Sequence, residues 1–79
     1  MTYSIYDSFS TEEAESVGKQ FKAKCKWNDG YTYCLSVDKE YVITITPRIL
    51  PMSPLCSFIG DEGKEGECHL TRFEKISEL

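Results

Sequence analysis

Seventy-nine residues with a formal net charge of −4 amount to one small domain, 1–79, and the acidic balance argues against a general nucleic-acid binder, which carries a basic excess. A chain this short buries only about 60% of its unfolded surface, yet 41% hydrophobic and 13% aromatic residues exclude a disordered chain. No apolar run approaches the roughly 18–20 residues that span a bilayer, so no membrane partner is expected.

Met1 to Asp7 has neither a basic region nor an apolar core, so no secretory signal is read there and a cytoplasmic location is expected. Thr2 to Tyr6 alternates, with Tyr3 and Ile5 on one side, and predicts a short strand. Ser10 followed by Glu13 forms a capping box, and Glu12, Glu13 and Glu15 suit the positive end of a helix starting near Thr11. Two ends compete. Gly18 can close the helix in the left-handed conformation, or Ala14, Val17, Phe21 and Cys25 can carry it to Lys24. The unbroken alternation from Phe21 to Trp27 favours a stop at Gly18 and a strand after it.

Asn28-Asp29-Gly30 then reads as a three-residue hairpin loop with glycine in its left-handed last position. That register pairs Trp27 with Tyr31, Cys25 with Tyr33, Ala23 with Leu35 and Phe21 with Val37, which keeps every apolar side chain on one face. A second loop at Asp38-Lys39-Glu40 pairs Leu35 with Ile43 and extends the face. The expected core is therefore an antiparallel β-meander over 21–27, 31–37 and 41–46. Its other face would show Lys22, Lys24, Lys26, Thr32, Cys34, Ser36, Val42, Thr44 and Thr46.

Residues 47–60 carry three prolines and six large apolar residues (Ile49, Leu50, Met52, Leu55, Phe58 and Ile59) with no regular period, and read as a loop. Gly60 to Gly66 reads as an acidic turn. Residues 67–79 fit either a helix, through Leu70, Phe73, Ile76 and Leu79, or an edge strand. The fold class is α+β: a short N-terminal strand, one helix and the meander (β-α-β-β-β), then a C-terminal helix or edge strand.

Cys25, Cys34, Cys56 and Cys68 are separated by nine, twenty-two and twelve residues, which matches no local zinc pair, and a reducing compartment leaves them as thiols. An EF-hand frame started at Asp61 puts Gly63 at its third position and Arg72 at its twelfth, so calcium is not expected. With one histidine, His69, and no phosphate cradle or nucleophile elbow, no catalytic residue, metal or cofactor is expected.

Two surfaces remain. The loop at 47–60 either folds back into the core or exposes Met52, Leu55 and Phe58, rimmed by Asp61, Glu62, Glu65 and Glu67, as a site for a protein with a basic surface. The less favoured alternative is a nucleic-acid-binding face built on Lys22, Lys24 and Lys26. The leading expectation is a small non-enzymatic protein-binding module of the inhibitor kind, acting through its acidic clusters. Small acidic α+β proteins of this size and composition occur among phage anti-defence and toxin-immunity proteins.

Overall fold

Ser10 caps a single helical turn. Its hydroxyl accepts the Glu13 N–H at 3.1 Å, and the Glu13 carboxylate accepts the Ser10 N–H at 3.0 Å. The helix α1 covers only Thr11–Ala14 and offers the core a single apolar side chain, Ala14. The computed structural model describes residues 9–47 and 54–79. The strand expected at Thr2–Tyr6, and Ile49, Leu50 and Met52, lie outside them. Gly18 takes the left-handed conformation, φ +90°, but beyond the helix, where its N–H already reaches the Ile45 carbonyl at 2.7 Å. The extension to Lys24 does not occur.

Five antiparallel strands follow: β1 Gln20–Cys25, β2 Glu40–Thr46, β3 Leu55–Ile59, β4 Glu65–His69 and β5 Phe73–Glu78. Their order in the sheet is β4-β3-β2-β1-β5. β4 and β5 thus occupy opposite edges, yet only the 3-10 turn Leu70–Arg72 joins them. Four strand spacings of a flat sheet are about 19 Å, too far for three residues rising about 2 Å each. The sheet must curl until its edges approach. The Phe58 ring on β3 and the Phe73 ring on β5 lie 6.1 Å apart, where a flat sheet would separate their strands by about 14 Å. The inward side chains, including Phe21, Ala23, Ile43, Ile45, Cys56 and Phe73, fill this curl as one core.

Residues 31–37 are not a strand, which corrects the expected meander. β1 has two edges, and β2 fills one (Phe21 opposite Ile43, Ala23 opposite Tyr41) while β5 fills the other. The hairpin turn at Asn28–Gly30 is replaced by a loop over 26–39 whose last residues rejoin β1, with Cys25 N–H donating to the Lys39 carbonyl at 3.0 Å. Within the loop the Tyr31 carbonyl accepts from Cys34 N–H at 3.0 Å and Leu35 N–H at 2.8 Å, and Asn28 Nδ2 donates to the Leu35 carbonyl at 2.8 Å. A sheet needs a second layer over its apolar face, and a four-residue helix cannot supply it. The loop does so with Leu35 and Cys34, while Tyr33 and Val37 turn to solvent. Cys34 is therefore buried rather than outward, and Thr32 and Ser36 stand in the loop, off the sheet face.

The C-terminal segment resolves as the edge strand β5. Leu70 and Phe73 are buried, three residues apart across the 3-10 turn, whereas Ile76 and Leu79 are exposed. Residues 55–59, expected as loop, and 65–69, expected as the end of a turn and the start of a helix or edge strand, form the hairpin β3–β4 with Cys56 opposite Cys68 and Phe58 opposite Gly66. Phe58 is 2% exposed and belongs to the core, which corrects its expected place in an exposed apolar loop. Leu55 is half-buried on the outer face.

Candidate docking surface

The acidic residues at 61–67 divide into two kinds. Asp61 is bound inward. Lys39 Nζ donates to its Oδ1 at 2.6 Å, Tyr41 O–H to the same oxygen at 2.8 Å, and Ser36 O–H to Oδ2 at 2.7 Å. Ser36 N–H in turn donates to the Tyr41 hydroxyl at 2.7 Å. The hydrogen bond from Lys39, then those from Ser36 and Tyr41, hold the Asp61 carboxyl down at about 2. Asp61 N–H also donates to the Cys34 carbonyl at 2.8 Å. At Gly60 a Cβ would stand 2.8 Å from that carbonyl oxygen, so glycine lets the hairpin turn dock against the 26–39 loop. Asp61 thus ties the loop to the hairpin while remaining exposed.

Glu62, Glu65 and Glu67 are exposed, and among the described residues no ion pair engages their carboxylates. With Lys64 they border a cleft of about 350 Å³ between the 31–34 turns and the β3–β4 hairpin, walled by Tyr31 and Tyr33 and floored by Phe58. Tyr31 is fixed: its O–H donates to the Glu67 carbonyl at 3.0 Å, and the Arg72 guanidinium lies 4.4 Å from its ring centroid. Burial pushes the Tyr31 hydroxyl above its ordinary value. Tyr33 is 69% exposed, and among the described residues no cation covers its ring. Its exposure was not legible in sequence, because the expected register placed it inside the sheet.

Lys22 and Lys24 do share the outer face of β1, as expected, but acids interleave with them. Lys22 pairs with Glu40 at 3.1 Å. Lys24 stands opposite Glu40 on one side and Glu74 on the other. Lys26 lies beyond the strand, with its ammonium 5.1 Å from the Trp27 ring centroid. A face with alternating signs attracts phosphates weakly.

All four cysteines are buried and free. Burial pushes the Cys25 and Cys34 thiols up, and a hydrogen bond with Cys68, then burial, pushes Cys56 up. Such thiols are poor nucleophiles. Among the described residues no group of His, Cys, Asp and Glu has the geometry to hold a metal, and no helix is long and apolar enough to cross a membrane. Compared with protein-family models, with curated proteins and with solved structures, the chain finds no match.

Proposed function

We propose that the chain is a non-enzymatic docking module that receives an arginine-bearing basic segment of a partner protein in the Tyr33 cleft. The observation that carries this reading is the exposed Tyr33 ring at a cleft whose lining also includes Glu62, Glu65 and Glu67, acids that form no ion pair among the described residues. A guanidinium stacks on an aromatic face while its N–H groups reach carboxylates in a planar fork, so ring and acids together favour Arg over Lys. The chain's own Arg72 over Tyr31 is an internal precedent on the same wall. A target that uses a basic surface for nucleic acid presents such side chains, and an inhibitor of that kind would act by covering them.

The test is a titration of the isotope-labelled chain with an arginine-rich peptide and with its citrulline counterpart, which keeps shape and removes charge. The arginine peptide shifts the amide signals of Tyr33, Glu65, Gly66 and Glu67, and the citrulline peptide does not. Joint reversal of Glu62, Glu65 and Glu67 to Lys abolishes those shifts and leaves the spectrum dispersed. Equal binding of both peptides, or binding that survives the reversal, would refute the proposal.

A further inference from the structure

Cys56 on β3 stands directly opposite Cys68 on β4. The ladder is bracketed by Gly60 N–H to the Lys64 carbonyl and by Leu70 N–H to the Pro54 carbonyl, both 3.0 Å. Counting in twos between these bonds makes Cys56–Cys68 a hydrogen-bonded pair. Such pairs hold their Cα atoms about 5.5 Å apart, inside the range of about 4.4–6.8 Å that a disulfide spans. Both side chains turn inward, 0% and 3% exposed, and the Cys68 thiol donates to the His69 carbonyl at 3.5 Å. Neither other cysteine faces a cysteine across a ladder: Cys25 on β1 stands opposite Phe73 of β5, and Cys34 lies in the 26–39 loop.

We propose that Cys56 and Cys68 are a disulfide-forming pair, oxidised by a small-molecule disulfide of the glutathione class, which staples the β3–β4 hairpin. Cys68 reacts first, because among the described residues β4 pairs with β3 alone and its ladder opens without disturbing the other strands. The Cys68 thiolate attacks one sulfur of glutathione disulfide, the S–S bond breaks, and one glutathione thiolate leaves. Cys56 then gives up its proton and attacks the Cys68 sulfur of the mixed disulfide, expelling the second glutathione. Two protein thiols are oxidised, one glutathione disulfide is reduced to two thiols, and the two protons end on glutathione. Burial keeps the pair unreactive while the ladder is closed, so the reaction is slow and follows the opening of β4.

The experiment equilibrates the intact chain with glutathione disulfide, quenches with acid, unfolds, alkylates the remaining thiols and maps the peptides. The expected product has lost two hydrogens, carries a Cys56–Cys68 link, and has Cys25 and Cys34 alkylated. Amide exchange in β3 and β4 then slows by roughly 100-fold, the effect of closing a loop of about a dozen residues. Cys34→Ser gives the same product, and Cys68→Ser gives none. A chain that retains four free thiols, stops at a glutathione adduct, or links through Cys25 or Cys34 overturns the proposal. Linkage is read on the chain alone, so a negative result leaves the docking proposal standing.

Discussion

The Phe58 ring lies against the bare Cα of Gly66, its cross-strand partner, so closely that a Cβ at 66 would fall 2.6 Å from Cζ and 3.0 Å from Cε1. The glycine is an inward position left vacant for a ring. Gly66→Ala therefore forces Phe58 off its rotamer or parts the two strands, and is expected to destabilise the fold by about 1–3 kcal/mol. Urea unfolding followed by tryptophan fluorescence measures the loss. An unchanged midpoint would mean that the ring moves aside freely.

The tie at Asp61 predicts an acid limb. Its carboxyl is held at about 2 against an ordinary 3.8, so the fold favours the charged form. The contribution is complete above about pH 4 and is lost as pH falls through about 2. A carboxyl carbon titration of Asp61 is expected to show a midpoint near 2, and Lys39→Ala to raise it toward the ordinary value. A wild-type midpoint near 3.8 would show the three donors to be ineffective. Glu13 behaves in the same sense: burial pushes its carboxyl up, but Lys75 at 2.7 Å, helped by Ser10, outweighs this and lowers it.

Leu35 and Val37 distinguish the folded loop from a strand. A strand over 31–37 would bury both side chains. In the folded loop Leu35 is 1% exposed and Val37 is 48% exposed. Leu35→Ala should cost about 2–5 kcal/mol and Val37→Ala less than about 0.5 kcal/mol. Equal losses in thermal unfolding would contradict the loop.

Tyr33 carries the docking proposal without carrying the fold. Tyr33→Ala is expected to leave the melting temperature within about 2 °C and to weaken the arginine peptide by roughly three- to fivefold, the worth of one exposed cation–π contact. Loss of folding in this variant would show that the ring has a structural role.

Ser10→Ala removes the hydroxyl that caps α1 and should cost about 0.5–2 kcal/mol, read by chemical denaturation. Because α1 is one turn long, the loss is expected to appear as faster exchange of the Glu13 and Ala14 amides before global unfolding.

The features legible in sequence were those in which side-chain size and spacing agree. Ser10 and Glu13 marked the helix start. Phe21, Ala23 and Cys25 marked β1, and Tyr41, Ile43 and Ile45 marked β2, because large or small apolar residues alternate there without interruption. Residues 31–37 carry the same alternation and misled the register, since periodicity cannot say that β1's second edge is taken by β5, some fifty residues away. β3 and β4 escaped notice for the opposite reason: their inward positions are Cys56, Phe58, Gly66 and Cys68, only one of them large, and a vacant position looks like a turn. The acidic cluster was visible as charge, but the separation of Asp61 from Glu62, Glu65 and Glu67 depends on where Lys39, Ser36 and Tyr41 fold.

β1 finds its second neighbour only when residues 73–78 arrive. During synthesis β1 therefore leaves the ribosome with one edge unpaired, and keeps it until residues 73–78 have emerged. Pairing across so long a separation is slow, and an open edge of this kind templates association between nascent chains. Lys22 and Lys24 alternate along that edge, and Glu74 takes its place beside Lys24 only when β5 arrives.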